Sequence, residues 1–194
     1  FLMVKIDFLW PFSQTPNELF LIMIDVSLSQ SFLNPKSVAI IGASADPKKT
    51  SSRAQRFLVS HGYLGKIFPV NPNRDEIFGL KFYPNLKSIN EHIGHIFIAV
   101  DSNKIIEAIE DAISKKVRCA TILSGGFTES GSEGNDLEKQ VFKIAKKGDL
   151  RILGPNSIGL INISDNVILS ANAMLELQDC LLYTSDAADE IQRV

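Results

Sequence analysis

The chain has few of the residues that build metal sites, disulfide frameworks or membrane spans. Its 194 residues include only two cysteines and three histidines. Cys119 and Cys180 fit no metal-ligand or disulfide spacing, and Cys119 lies in an apolar run that is typical of a buried strand. No stretch approaches the roughly 18 apolar residues that cross a bilayer. These absences favour a reducing, cytoplasmic setting, with no metal centre and no membrane partner.

An excess of charge of either sign is missing as well. The formal net charge is −2, and charged residues make up 22% of the chain. Binding of nucleic acid through a broad basic surface is therefore not expected. Hydrophobic residues account for 45% of the sequence. This share is ordinary for a globular protein and, at this length, allows one sizeable core.

Short apolar runs alternate with amphipathic stretches from residue 32 onward. Residues 38–41 form a continuous apolar run, as expected for a strand that is buried on both faces of a parallel sheet. Further strands are predicted at 66–70, 95–100, 120–123 and 151–153, and helices at 51–61, 105–113 and 136–147. This alternation predicts an α/β fold with a Rossmann-like, doubly wound parallel sheet.

The character of the sequence changes at both ends of this regular region. We interpret residues 1–30 as an irregular leader that includes upstream sequence translated in frame; an N-terminal helix or arm is the alternative. Residues 31–165 are predicted to form the Rossmann-like domain, and residues 166–179 the start of a further domain. Residues 180–194 look like the in-frame translation of a sequencing adapter, so we expect them to be foreign to the natural chain.

Three loops of small residues follow predicted strands. They are Gly42-Ala43-Ser44-Ala45, Ser124-Gly125-Gly126 and Gly154-Pro155-Asn156. Because the carboxyl ends of parallel strands share one edge of a sheet, the three loops are expected to line one crevice. Small residues let a ligand approach the backbone there, and phosphates are common ligands of such turns. For any single loop, glycines that only make a tight turn are the alternative.

A long stretch without acidic residues follows the first loop. It runs from residue 48 to residue 74 and carries six basic side chains: Lys48, Lys49, Arg53, Arg56, Lys66 and Arg74. NAD-binding units usually place a carboxylate after the second strand, where it binds the ribose hydroxyls, but residues 70–74 contain none. A ligand with an extra phosphate on its adenosine ribose, NADP or coenzyme A (CoA), fits better. Arg74 is the candidate for that phosphate, and a solvated basic face is the alternative.

Five segments in one collinear order carry a resemblance to a known family. They are residues 34–44, 65–72, 79–84, 124–131 and 151–162. Together they resemble the CoA-binding domain of nucleoside-diphosphate-forming acyl-CoA synthetases. This is the acetate–CoA ligase (ADP-forming) family, which is related to the succinyl-CoA synthetase α subunit. The resemblance covers about residues 32–170, and it implies that the chain is the N-terminal fragment of a larger multidomain enzyme.

The resemblance also implies the residues that contact the ligand. The first loop would hold CoA through Gly42, Ala43, Ser44 and Ala45. The segment after the second strand would contact its nucleotide end through Asn71, Pro72 and Arg74. The third group to contribute would be Ser124, Gly125 and Gly126. The loop formed by Gly154, Pro155 and Asn156 would face a phosphotransfer site.

The reaction that the resemblance implies joins a carboxylic acid to CoA. ATP is consumed, and acyl-CoA, ADP and phosphate are formed through acyl-phosphate and phosphohistidine steps. ATP, ADP and Mg²⁺ would bind to ligase and ATP-grasp domains elsewhere in the same chain or in a partner subunit, and residues 166–179 would begin the ligase domain. The chain has three histidines, and none lies in a glycine loop: His61, His92 and His95. We therefore expect no catalytic residue in this fragment.

Some residues and some functions stay open at this point. The acidic residues Glu107, Glu110 and Asp111 are predicted to lie on the outer face of one helix as solvated charges. A stand-alone CoA-binding or sensing module without catalysis is the main alternative function. An NADP-dependent oxidoreductase domain is another, and a fused acetyltransferase domain is a further one.

Overall fold

A computed structural model describes residues 26–73, 76–77 and 79–176 of the chain. Most of the predicted leader, the predicted foreign tail and Arg74 therefore lie outside the described residues. Within the described part, the chain has an α/β fold. It is built on a five-stranded parallel sheet with the strand order β2-β1-β5-β6-β7. The predicted Rossmann-like, doubly wound sheet is confirmed.

The sheet strands are short and mostly buried. They are β1 (Ser37–Ile41), β2 (Lys66–Val70), β5 (His95–Ile98), β6 (Cys119–Ile122) and β7 (Arg151–Leu153). Helices or a hairpin cover both faces of the inner strands, which is why these segments read as continuous apolar runs. The chain places β2 on one side of β1 and β5 on the other. This reversal creates a crevice at the carboxyl ends of β1 and β5.

Side chains alternate between two cores, one on each face of the sheet. Ala39, Ile96 and Ile122 face the helices α3 (Ile105–Ser114) and α4 (Ser132–Lys147). Val38 and Phe97, one residue out of phase, face α2 (Thr50–Ser60) on the opposite side. The period of two along each strand explains this division. Each inner strand therefore contributes to both cores.

Helix α4 begins four residues earlier than predicted. Its first turn contains Gly134 and Asn135, which are poor helix formers, so the sequence pattern pointed to a start at Asp136. Gly134 is needed because a Cβ atom there would lie 1.8 Å from the carbonyl oxygen of Phe127. Close packing against Phe127 thus overrides helix propensity in this turn.

A short segment around Tyr83 pairs with the outer edge of β2. A small antiparallel hairpin, β3 (Glu76–Ile77) and β4 (Leu80–Lys81), follows β2. The chain then returns so that Tyr83 forms an isolated parallel bridge with Val70. The backbone N–H of Asn71 donates to the Tyr83 carbonyl oxygen over 2.9 Å. This pairing fixes the segment that leaves the carboxyl end of β2.

The amino-terminal helix α1 (Val26–Leu33) crosses the predicted limit between leader and domain. Its Ser31 carbonyl oxygen lies 3.1 Å from Nδ1 of His95, and Phe32 packs edge-on against the same imidazole ring. Residues 26–30 are thus helical, not irregular. Between residues 26 and 176, none of the described helices has the length and apolarity that crossing a membrane requires.

The hairpin of β8 (Gly159–Asn162) and β9 (Val167–Ser170) differs from the predicted domain organisation. Val167 and Leu169 are fully buried in the same core as Val38 and Ile40 of β1. The predicted boundary after residue 165 falls inside this hairpin. Strand β9 therefore packs as part of the Rossmann-like unit, because its apolar residues complete the core above β1.

Candidate functional site

The loop after β1 begins at Gly42, which has a backbone φ of +83°. The Gly42 N–H donates to the Val70 carbonyl oxygen over 3.0 Å, so the turn is tied to the end of β2. A Cβ atom at this position would lie 2.4 Å from the carbonyl oxygen of Ala99. Glycine is therefore required for the approach of β1 to the end of β5, independently of any ligand.

The segment after β2 is joined to the β1 loop through a side chain. Nδ2 of Asn71 donates to the Ala43 carbonyl oxygen over 2.8 Å, and Oδ1 of Asn71 accepts from the Asn73 N–H over 3.0 Å. Asn71 occupies the position at which an NAD-binding unit carries a carboxylate for the ribose. Its amide is engaged in holding two loops together. Pro72 is exposed beside it.

A cleft of about 330 Å³ opens at the carboxyl ends of β1, β2 and β5. Three of the predicted site residues line it, namely Gly42, Asn71 and Pro72. Its apolar surface comes from both walls and from the floor, through Ile41, Val70, Pro84, Leu86, Val100 and Ala108. A cleft of this size and character can take a flat ring and part of a sugar. The switch point of the sheet is the expected place for it.

Sequence reasoning missed the wall that α3 contributes. Glu107, Ala108 and Asp111 of α3 line the cleft, and their spacing places them on one helix face. Lys104, which immediately precedes α3, lines the same side. Glu107 is exposed, as predicted for a solvated charge, whereas the prediction is wrong for Asp111, which is partly buried. Asp111 is also paired with Lys87, with 3.0 Å between Oδ1 and Nζ. The helical spacing of these residues was the signal in the sequence that could have identified this wall.

The loops after β6 and β7 lie next to each other. The Asn156 N–H donates to the Ser124 carbonyl oxygen over 3.1 Å. Ser124 Oγ donates in turn to the carbonyl oxygen of Val100, a residue that lines the cleft. Gly125 and Gly154 belong to the same two loops, and Pro155 follows Gly154. The structure thus brings the Ser124 and Gly154 loops together and links them to the cleft through Val100.

Backbone N–H groups in the Ser124 loop hold an internal anion. The Gly126 N–H donates to Oε1 of Glu129 over 2.7 Å. Hydrogen bonds from the backbone of Glu129, then of Gly126 and Phe127, hold the pKa of the Glu129 carboxyl below its usual range. These N–H groups point toward one negative group. The turn can therefore stabilise an anion without a basic side chain.

The basic residues before Arg74 are arranged differently from the prediction. Nε of Arg53 and a terminal nitrogen of Arg56 both contact Oε1 of Glu176, at 3.2 and 2.8 Å. Arg53 also donates to the Ala171 carbonyl oxygen over 3.1 Å. These arginines anchor the chain after β9 to α2, and neither of them lines the cleft.

Of the remaining basic residues, Lys66 lies at the far end of its strand. It pairs with Glu91 at the amino edge of the sheet, away from the cleft. Lys48 and Lys49 are exposed just before α2. Arg74, the predicted partner of the ribose phosphate, lies outside the described residues.

The three histidines lie outside the lining of the cleft. His95 is fully buried, and its Nε2 lies 2.9 Å from Oγ1 of Thr121. Burial lowers the pKa of His95 to about 4, so the ring is neutral at physiological pH. Nδ1 of His61 lies 3.0 Å from the Phe57 carbonyl oxygen at the end of α2. His92 is exposed near the amino edge of the sheet.

The residues that line the cleft fit the nucleotide end of CoA. Apolar side chains on both walls suit a purine ring, and Lys104 supplies a cation for a phosphate. Residues 71–73 carry no carboxylate at the position where an NAD-binding unit binds the ribose diol, and the carboxylates that line the cleft, Glu107 and Asp111, lie on α3. In the part of the chain that the structure describes, no group of three or more His, Cys, Asp or Glu side chains is arranged to hold a metal ion.

The sequence of the chain is similar to those of known CoA-binding proteins. A protein-family profile described as CoA binding domain matches residues 36–163. Acetate–CoA ligase (ADP-forming) II of Archaeoglobus fulgidus is 40% identical over 136 residues, which are 70% of this chain and 20% of that protein. Acetate–CoA ligase (ADP-forming) I subunit alpha of Pyrococcus furiosus is 39% identical, over 68% of this chain and 29% of that subunit.

The fold of the chain is also similar to that of a solved structure. The dinucleotide forming acetyl-coenzyme A synthetase 1 of Ca. Korarchaeum cryptofilum, in complex with phosphate and ADP, superposes with a TM-score of 0.71. It is 33% identical and covers 74% of this chain, which spans 30% of the synthetase chain. The chain thus spans between 20% and 30% of the length of these proteins.

Proposed function

The chain belongs to the CoA-binding domain family, and on that premise we propose that it is the CoA-binding part of an ADP-forming acyl-CoA synthetase. The whole enzyme joins a carboxylic acid to CoA and converts ATP to ADP and phosphate. The observation that carries this proposal is the cleft between β1, β2 and α3, because it combines a switch-point position with a lining suited to a phosphorylated nucleotide.

In this proposal, the loops after β1 and β2 bind the nucleotide end of CoA. Their relative position depends on Asn71, which ties the second loop to the carbonyl group of Ala43. The segment from Gly42 to Ala45 offers backbone N–H groups to the diphosphate, and Arg74 is the candidate from the sequence for the ribose phosphate. The apolar residues Val100 and Leu86 exclude water from one side of the base.

The loops after β6 and β7 serve the phosphorylated intermediates. The N–H groups around Gly126 bind the carboxylate of Glu129, and a phosphoryl group would bind to them in place of that carboxylate. Asn156 and Pro155 lie on the adjoining loop. A histidine supplied by another domain would carry the phosphoryl group. ATP and Mg²⁺ would bind on an ATP-grasp domain of the same protein or of a partner subunit.

The reaction is tested with the full-length gene product. The protein is incubated with CoA, ATP, Mg²⁺ and a panel of short carboxylic acids, and release of ADP and phosphate is followed together with formation of the thioester. The proposal predicts that ADP, phosphate and acyl-CoA appear in equal amounts over many turnovers and that ADP release beyond one equivalent per protein requires both acid and CoA. Formation of AMP and diphosphate instead, or tight CoA binding without turnover of any acid, would contradict it.

A label-transfer experiment tests the phosphohistidine step separately. With ATP labelled at its γ-phosphate and no CoA, the full-length protein is expected to become phosphorylated on a group that acid hydrolyses and alkali preserves. Substitution of His61, His92 or His95 is expected to leave the labelling intact. Loss of label in one of these variants that is still folded would place the phosphorylated residue in this chain and overturn the assignment.

A further inference from the structure

One wall of the cleft, formed by α3 and the turn before it, carries charged side chains that have no role in the proposed function above. Lys104, at the end of the 3-10 turn before α3, lines the cleft together with Glu107 and Asp111 of α3, and Gly42 and Asn71 border it on the other side. Lys104 and Glu107 are exposed. Asp111 is half-buried and neutralised by Lys87, with 3.0 Å between the charged atoms. Lys104 forms no ion pair among the described residues. A lysine facing a cleft without a partner is suited to an anionic ligand group.

CoA carries two separate anionic groups, the diphosphate and the 3′-phosphate of its ribose. The diphosphate is suited to the backbone of the loop after β1, because turns before helices bind phosphates through their N–H groups. The 3′-phosphate lies one ribose away from the diphosphate and needs its own cation. Among the described residues that line the cleft, Lys104 is the only basic side chain.

We propose that this cleft takes the adenosine 3′-phosphate end of CoA and that Lys104 binds the 3′-phosphate. Lys104 then sets the preference for CoA over 3′-dephospho-CoA. The inference rests on the proposed function and deepens it, because it assigns a specificity-determining residue, immediately before α3, that the sequence motifs did not indicate. The base lies against Val100, Leu86 and Ala108, on the apolar part of the same cleft.

The carboxylate of Glu107 provides a second test of the role of Lys104. Glu107, in the first turn of α3, is three residues after Lys104 and lines the same cleft. A phosphate bound to Lys104 is repelled by Glu107, whereas a ribose that lacks the phosphate is not. Removing the charge of Lys104 and removing that of Glu107 are therefore expected to change the preference for CoA in opposite directions.

The experiment compares two ligands on matched variants of the chain. Dissociation constants for CoA and for 3′-dephospho-CoA are measured by calorimetry on the unchanged protein, K104M, R74M, E107Q and the control K146M. Lys146 is exposed in the last turn of α4, away from the cleft. Circular dichroism establishes that each variant is folded. The readout is the ratio of the two dissociation constants, which a uniform loss of binding does not change.

In K104M, affinity for CoA is expected to fall about tenfold, as for loss of a charge-assisted hydrogen bond. Affinity for 3′-dephospho-CoA should stay the same, so the preference for CoA disappears. E107Q should strengthen the preference, and K146M should leave it unchanged. An unchanged preference in K104M would overturn the inference while the proposed function stands. The same holds if R74M alone abolishes the preference. If the unchanged protein binds neither ligand, both the inference and the CoA-binding function fail.

Discussion

Asn71 donates a hydrogen bond from Nδ2 to the carbonyl oxygen of Ala43 over 2.8 Å, and this contact joins the loops that follow β2 and β1. The two residues are 28 positions apart in the chain. Both loops border the cleft or lead into it. The hydrogen bond therefore sets the distance between the two sides of the proposed nucleotide site before any ligand is bound.

Replacing Asn71 with alanine is expected to weaken CoA binding. Without the side chain, the two loops lose a hydrogen bond that holds them in place, and binding must then order them. We expect the dissociation constant for CoA to rise between about twofold and tenfold. Calorimetry on N71A and on the control N90A, which changes an exposed residue of the amino edge, measures the effect. Equal affinities in the two variants would show that the contact does not support the site.

Replacing Gly42 with alanine is expected to destabilise the fold. The new Cβ atom would lie 2.4 Å from the Ala99 carbonyl oxygen, and the backbone has a φ of +83°. Gly62 has a similar φ of +71° with nothing within 4 Å of its Cβ position, so G62A isolates the backbone cost. That cost is about 1–2 kcal/mol. Urea unfolding should show a clearly larger loss in G42A, and equal losses would exclude the clash as a cause.

Acidification is expected to destabilise the protein through His95. Burial lowers the pKa of His95 from 6.5 to about 4. Between these values the unfolded chain binds the proton more readily than the folded one, so stability falls as the pH falls through this window. The His95 contribution to that loss is about 3 kcal/mol. In H95Q the slope of unfolding free energy against pH should be smaller. Identical slopes in the two proteins would refute the assignment.

The β8–β9 hairpin is expected to be an integral part of the fold. Leu169 is fully buried against the core of β1, and truncation of such a residue to alanine costs about 2–5 kcal/mol. Ile163 is 50% exposed, so I163A should change stability by no more than about 0.5 kcal/mol. Urea unfolding of both variants tests this difference. A small effect of L169A would support the boundary predicted from the sequence.

The contact of Glu176 with Arg53 and Arg56 is expected to stabilise the chain after β9 in a salt-dependent way. Hydrogen bonds from Arg56 and then from Arg53 lower the pKa of the Glu176 carboxyl. E176Q should therefore lower the unfolding midpoint at low ionic strength, and the difference should shrink in 1 M salt because exposed ion pairs are screened. The control E110Q changes an exposed glutamate of α3. A loss in E176Q that is independent of salt would argue against an ionic role.

Local patterns were sufficient for much of the fold. The apolar runs predicted all five strands of the parallel sheet because buried parallel strands are apolar on both faces. The start of α4 was missed because Gly134 is required by a contact with Phe127 that no local pattern reveals. The place of β9 was missed for a similar reason, since only the packed core shows Leu169 beside Ile40.

The site was predicted less completely than the fold. Gly42, which the small-residue loop after the first strand indicated, lines the cleft together with Asn71 and Pro72, which the family resemblance implied. The number of basic residues suggested a phosphate-facing surface, but Arg53 and Arg56 are engaged by Glu176, more than a hundred residues later. A partner so distant in sequence cannot be recognised from composition. Lys104 was missed because its role depends on which helix face borders the cleft.

The choice between CoA and NADP is the central claim, because the loop chemistry alone allows either ligand. Calorimetric titration of the purified chain with CoA, NADP and NAD in the same buffer tests it most directly. CoA is expected to bind with one site per chain, whereas NADP and NAD should give no saturable heat. Saturable binding of NADP in the absence of CoA binding would contradict it.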